Sequence, residues 1–421
     1  MTELRPPSAE ETAHLTWAGE PGFFRPDYNR ALSTVMPTVY ELLGHAPDDR
    51  PTMARLLPQA TPRRVSRVFL LCIDSFGFKE MAHGSRFPRL YEEYGSWVTS
   101  VFPSITSTAL SSLYQGLPPA RHGIAGHLIW KNFPGGIVDM LKMRVVGAKA
   151  PLDASGFDVN QWKREPGLLE SAHSAHVPGM HLMPMQIVKS GLSTYSYGKT
   201  DMVGFAHPVE GFSKAAQMLA DVPRGWVGLY LDMVDTLSHV ITHDVPQFGL
   251  LVRYIEDCVY WLAANLPRDV ARETLLVVIA DHGQDSIREM LSLRGEPAEW
   301  LRAHTRALGF SGRVMHIYLR PGDAPRDVRR GLDALMGDRG RVFDFAQAAT
   351  LVGTTPDDAW ARESLGELVA VLHEGFCWDA YEMFKGPGPY GTRLVSQHGG
   401  MSRDEMFVPM LTVPLDVLAR A

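Results

Sequence analysis

Six residues of this chain have the types and spacing of ligands for divalent cations. Asp74 follows directly on an apolar run, Val68–Ile73. Asp235 and His239 stand four apart at the start of a helical stretch, and so project from one face of it. Asp281 and His282 follow a second apolar run, Leu275–Ala280, and His398 sits in Gln397-His-Gly-Gly400. Neighbours on a regular strand point to opposite faces, so Asp281 and His282 can serve one site only if the chain leaves the strand there, a turn that Gly283 permits. Three carboxylates and three imidazoles suit two borderline divalent ions. The mixed oxygen and nitrogen set favours zinc, with manganese and iron as alternatives.

A nucleophile lies elsewhere in the chain. Phe102-Pro-Ser-Ile-Thr106 runs into Ser107-Thr-Ala-Leu-Ser-Ser-Leu113, a helix start whose unpaired N–H groups and positive dipole end attract a phosphate. A threonine hydroxyl placed there beside a divalent ion loses its proton far more readily than in water. Each piece also has a plainer reading. Asp-xxx-His on a helix is commonly a solvated face, Asp-His-Gly commonly a turn, and Ser104, Thr106 or Ser107 can simply cap the helix. With 16 histidines in the chain, isolated pairs arise by chance. It is the conjunction of strand-end, glycine-turn and helical placements that singles these residues out.

The elements that must position them are legible as a repeated theme. Val68–Ile73, Trp226–Leu231 and Leu275–Ala280 are each apolar without alternation and each end at an Asp. Runs that are apolar on both faces suit central parallel strands covered by helices. Helical patterns at Thr106–Gln115, Phe212–Ala220 and Val234–Asn265, the last with a break near Pro246, lie between them. The fold class expected is α/β, a mostly parallel central sheet sandwiched by helices, whose site lies beyond the carboxyl ends of the strands. Residues 1–60, rich in proline and with one helix near Ser33–Leu43, read as an extension packed on a catalytic domain of residues 61–421. Within that domain, about residues 297–395 read as a smaller α+β subdomain, with a helix at Pro297–Leu308, a strand at Arg313–Leu319 and a Gly/Pro turn at Lys385–Gly391.

Composition narrows the function classes. At 421 residues, 45% hydrophobic and 21% charged, the chain can bury a large core, and its net charge of −6 argues against gripping a nucleic-acid backbone. Its three cysteines lie far apart, without a CxxC or a disulfide pattern. No apolar leader or span-length apolar run is visible, so the expectation is a cytoplasmic protein without a membrane partner.

Taken in order, Asp74 after a strand, the Phe-Pro-Ser-Ile-Thr106 pattern, Gly116–Ile124 with its His122-Gly-Ile, Asp235-xxx-His239, Asp281-His282-Gly283 and His398–Pro409 resemble the type I phosphodiesterase/nucleotide pyrophosphatase branch of the alkaline phosphatase superfamily. The resemblance covers about residues 65–412. It implies one metal held by Asp74, Asp281 and His282 with Thr106, a second held by Asp235, His239 and His398, and Thr106 as the nucleophile. Two departures stand out. Ser107 follows the nucleophile where many relatives carry a base-stacking aromatic, and His127 stands where relatives often place an asparagine that touches a phosphoryl oxygen. Ser107 and His127 are therefore the candidate substrate-binding residues. The expected function is hydrolysis of phosphodiesters or nucleotide-type phosphoanhydrides, with a small-molecule phosphate ester or nucleotide as substrate, through a phosphothreonine at Thr106. Phosphomonoester or phosphonate hydrolysis on the same metal frame is the alternative, and an inactive metal-stabilised scaffold is a second one. His243 continues the Asp235/His239 face and reads as a helix-face histidine.

Overall fold

In the computed structural model, which describes residues 4, 6–18, 20–242, 245–379 and 394–419, the continuous apolar runs become the middle of a seven-stranded sheet. Its strands are β1 (Arg67–Ile73), β2 (Gly95–Thr99), β3 (Gly179–Pro184), β4 (Asp201–Phe205), β5 (Gly225–Leu231), β6 (Thr274–Ile279) and β7 (Phe407–Pro414), in the order β2-β7-β6-β1-β5-β3-β4. Every residue of β1, β5 and β6 is buried. This is why these strands lack polar alternation: each must present an apolar surface to helices above and below. β1 pairs in parallel with β5 and β6, whereas β7 runs antiparallel between β6 and β2.

The two faces can be followed from side chains. Phe69 of β1 meets Phe212 of a helix over Pro208–Asp221. On the other face Trp226, in register with Val68, and His181 lie under Tyr114 of the helix Thr106–Gln115. The helix Val35–Leu42 buries Val35, Met36, Val39 and Tyr40 in the same core as Leu113. The chain before it is tied to β2 where Thr99 N donates to Arg30 O at 2.9 Å. No described helix is long and apolar enough to cross a membrane.

A second, antiparallel sheet also has seven strands, in the order Gly340–Asp344, Leu368–Leu372, Val314–Leu319, Thr305–Ser311, Leu128–Lys131, Gly136–Asp139 and Arg144–Val145. Three of its strands thus come from residues 128–145, far before the 297–395 stretch in which the sequence places this subdomain. The junction is the pairing of Phe310 with Leu128. The expected helix Pro297–Leu308 also divides: the helix runs Glu296–His304, and Thr305, a β-branched residue, opens the next strand. The stretch Val234–Asn265 breaks near Pro246 as expected, into helices Met233–Ser238 and Phe248–Asn265. His243 and Lys385–Gly391 lie outside the described residues.

Candidate metal centre and nucleophile

All three strand-end aspartate positions of the sequence pattern fall at the carboxyl ends of adjacent strands. The chain leaves β1 at Asp74, and Ser75 takes up a left-handed conformation, φ 62°, which costs a non-glycine residue about 1–2 kcal/mol. The bend lets Ser75 N donate to Asp281 Oδ1 at 3.0 Å, an oxygen that also accepts from His282 N at 3.0 Å. Beyond β6 the turn needs Gly283 for closeness: a Cβ there would lie 2.0 Å from Asp404 O. Asp74, Asp281 and His282 are thereby brought into one group, whose ligand atoms lie within 4.8 Å of one another. His282 Nε2 stands 3.5 Å from Asp74 Oδ1 and 3.3 Å from Asp281 Oδ2.

Asp235, His239 and His398 form a second such group. His239 Nε2 and His398 Nε2 lie 3.3 and 3.5 Å from Asp235 Oδ1. The groups adjoin, with the His282 and His398 rings stacked at 3.8 Å. In all three histidines the other ring nitrogen meets a backbone carbonyl: His239 Nδ1 with Ser396 O at 3.0 Å, His282 Nδ1 with Gly283 O at 3.1 Å and His398 Nδ1 with Ser104 O at 3.1 Å. A carbonyl only accepts, so each Nδ1 carries the proton and each Nε2 presents a lone pair to the carboxylates. Opposite those lone pairs, Asp74 Oδ1, Asp235 Oδ1 and Asp281 Oδ2 are buried and accept no hydrogen bond. Lone pair facing lone pair is unfavourable unless a cation lies between them. The donors of each group therefore fit a metal cation.

The electrostatics agree. Burial, followed by the carboxylates of Asp281 and Asp235, pushes Asp74 well above the usual carboxylate range. Burial also raises Asp281, although His282 opposes it. Burial raises Asp235 too, but the neighbouring His239 and His398 rings outweigh it and bring this carboxyl below the usual range. Burial drives His398 well down, with His282 adding to the shift. Positive charge at this place would relieve the crowding of carboxylates that burial has created.

Thr106 opens its helix at the edge of the first group, its Oγ1 3.2 Å from His282 Nε2. The residue before it, Ile105, has no side chain that could cap the helix; Thr108 N is taken by Ile105 O at 2.9 Å, which leaves the Thr106 and Ser107 N–H groups for a ligand. Ser107, by contrast, is fully buried and its Oγ donates to Gly126 O at 3.1 Å. His127 is partly exposed, with Nε2 3.5 Å from Asp139 Oδ1, and its backbone N donates to Ser311 Oγ at 2.9 Å.

The His398 loop is braced from below. Arg313 N donates to His398 O at 3.1 Å, and the Arg313 guanidinium pairs with Asp285 and lies 2.6 Å from Glu405 Oε2. Glu405 in turn accepts from Gly400 N and Ser402 N at 2.8 and 3.0 Å. Gly399, at φ 106°, could carry no Cβ, which would fall 2.2 Å from Ser311 O. Because Arg313, Asp285 and Glu405 are all buried, Arg313→Met leaves two carboxylates without their cation. Denaturant unfolding is expected to show a loss of about 3–5 kcal/mol; a loss under about 1 kcal/mol would mean that the ion pairs do not brace this loop. Two further residues lacked a sequence signal: Tyr230, whose hydroxyl donates to Asp74 Oδ2, and Gln284, buried between the groups.

A mostly parallel sheet sandwiched by helices, with acidic and histidine groups gathered at its carboxyl edge, is an alkaline phosphatase-like architecture. The family model for type I phosphodiesterase/nucleotide pyrophosphatase matches residues 68–399. The chain belongs to that family. Among solved structures it is similar to murine ectonucleotide pyrophosphatase/phosphodiesterase 5, with a TM-score of 0.59, 15% identity, and coverage of 82% of this chain and 87% of that one. The inactive threonine-to-alanine form of the murine protein in complex with AMP gives a TM-score of 0.55 at 15% identity, with the same coverage. Phosphonoacetate hydrolase from Sinorhizobium meliloti 1021, in complex with phosphonoacetate, gives 0.56 at 16% identity, covering 87% of this chain and 98% of that one. A search of curated sequences finds no match.

Proposed function

We propose that the protein hydrolyses phosphodiesters or nucleotide-type phosphoanhydrides by way of a covalent intermediate on Thr106. Asp74, Asp281 and His282, with Thr106, would hold one divalent cation, and Asp235, His239 and His398 a second, zinc being favoured by the mixed donors. The observation that carries the reading is the aim of three Nε2 lone pairs and three orphaned carboxylate oxygens at two adjoining points, the first of them beside the Thr106 hydroxyl. Such ions, when bound, supply charge neutralisation at the phosphoryl oxygens and favour the alkoxide form of Thr106.

The chain's own residues do the rest. Thr106 Oγ1 gives up its proton to solvent, from which the departing oxygen can regain one, and attacks phosphorus in line with that oxygen, forming the Oγ1–phosphorus bond as the leaving-group bond breaks. The uncapped first turn of the Thr106 helix offers N–H groups to the non-bridging oxygens. Ser107 would take part through its backbone, since its hydroxyl is committed to Gly126, and His127 would contact the substrate from the rim beside Asp139. Water then cleaves the Thr106 ester and restores the hydroxyl. AMP, bound by the murine relative whose threonine is replaced, supports a nucleotide-type substrate. The likeness to phosphonoacetate hydrolase supports phosphonate hydrolysis as the second reading.

Charge near the site decides between ester classes. A monoester near neutral pH carries close to two negative charges and a diester one, so monoester specialists add a cation beside the phosphoryl group. No Lys or Arg occurs between Leu90 and Ala120. Arg121 is turned to Glu165 at 2.8 Å on the surface, and Arg313 is neutralised by Asp285 and Glu405. The expected outcome is a kcat/KM for bis-p-nitrophenyl phosphate at least about tenfold above that for p-nitrophenyl phosphate. The reverse preference, tenfold or about 1.4 kcal/mol in transition-state binding, would overturn the diester assignment and leave the metal centre standing.

A further inference from the structure

We infer that Gln284 is a positioning residue that ties the two ligand groups together, so that the Asp235/His239/His398 group is held in register with the Asp74/Asp281/His282 group through one side-chain amide. The inference rests on the two-cation reading of the site. Gln284 is fully buried and follows the ligand His282 by two residues, which fixes its backbone to the first group. Its amide reaches in two directions. On one side Ser75 Oγ donates to Gln284 Oε1, and Ser75 is the residue whose left-handed turn sets Asp74 apart from β1 and whose N–H holds Asp281 Oδ1. On the other side Gln284 Nε2 donates to Ser396 Oγ at 2.7 Å and stands 3.2 Å from His239 Nδ1.

Ser396 completes the link. Its carbonyl takes the His239 Nδ1 proton, and its hydroxyl donates to Ser238 O, at the end of the helix that carries Asp235. The donors run one way, Ser75 to Gln284 to Ser396 to Ser238, and leave no polar atom of the Gln284 side chain without a partner. A buried amide satisfied at both ends fixes what it touches, because loss of either bond leaves a desolvated polar group. The strand pairing of Asp285–Ser286 with Ser396–Gln397 sets the backbones side by side, and the Ser396 carbonyl orients the His239 ring through its Nδ1 proton. Gln284 acts on that ring through Ser396: by holding the Ser396 hydroxyl it holds the residue whose carbonyl receives the His239 proton.

The test uses the full-length protein freed of metal and titrated with cobalt(II), followed by visible absorption and by calorimetry. Wild type is expected to take up two equivalents. Gln284→Leu, close in volume and unable to hydrogen-bond, should bind one equivalent within about threefold of the wild-type affinity and the other 10- to 100-fold more weakly, the usual range for loss of a partner behind a metal ligand. Ser75→Gly cuts only the first arm, and glycine suits the left-handed turn, so this variant folds even if Gln284→Leu does not. It should weaken the same equivalent by a smaller factor. Equal weakening of both equivalents, or none in either variant, would overturn the inference, since a general lesion of the fold would not separate the two affinities. Wild type binding fewer than two equivalents would instead bring down the reading of the site on which the inference rests.

Discussion

Thr106→Ala is expected to lower diester turnover by about 10³-fold or more, or at least 4 kcal/mol of transition-state stabilisation, while metal content and unfolding midpoint stay near wild type. The separation follows from the geometry. Thr106 Oγ1 touches His282 Nε2 but does not support the group, since Asp74, Asp281 and His282 are held by Tyr230, Ser75 and Gly283. The helix loses no cap with the hydroxyl, because the residue in the N-cap position is Ile105. The readouts are steady-state kinetics, metal analysis and a thermal melt on the same preparation. Turnover within about tenfold of wild type would make Thr106 a bystander.

Removal of a metal ligand should be as severe, through a different route. Asp281 is fully buried, with Oδ1 accepting from two backbone N–H groups and Oδ2 orphaned toward the other ligands. In Asp281→Asn the amide must turn its NH₂ either to those N–H groups or to the cation, and both are repulsive. The expected result is loss of the cation from that group and of nearly all turnover. A chelator should do the same to wild type, reversibly, because zinc added back can reload the wild-type ligands but not the variant's. Full metal content and activity in Asp281→Asn, together with the same result for His239→Ala, would refute the ligand assignment.

The parts of this molecule that show in its sequence are those fixed by burial on both faces. Val68–Ile73, Trp226–Leu231 and Leu275–Ala280 had to be apolar throughout to lie inside a parallel sheet, so their polar ends at Asp74, Asp232 and Asp281 stood out. Geometry brings them together at one edge because parallel strands end on the same side. The glycines beside Asp281, His282 and His398 marked close backbone approach, and Asp404 O and Ser311 O are the atoms approached.

What did not show depends on pairings remote in sequence. Nothing in Leu128–Val145 signals that it will extend a sheet built from residues 305–372, because an antiparallel edge pairing such as Leu128 with Phe310 carries no composition of its own. Nor does a sequence state which carbonyl will receive a histidine proton: Ser104 and Ser396 serve His398 and His239 from elsewhere in the chain. Tyr230 and Gln284 belong to the same class. An aromatic in a buried strand and a glutamine after a turn look ordinary until the fold sets them against Asp74 and His239.

The stereochemical course at phosphorus counts the displacements in the reaction without altering a residue. One diastereomer of a chiral phosphorothioate diester is hydrolysed by wild type in ¹⁸O-water, and the configuration of the product is read by phosphorus NMR. Attack by Thr106 followed by hydrolysis of its ester makes two in-line displacements, each inverting, so net retention is expected. Net inversion would mean that water attacks the substrate directly, and would contradict a covalent intermediate on Thr106.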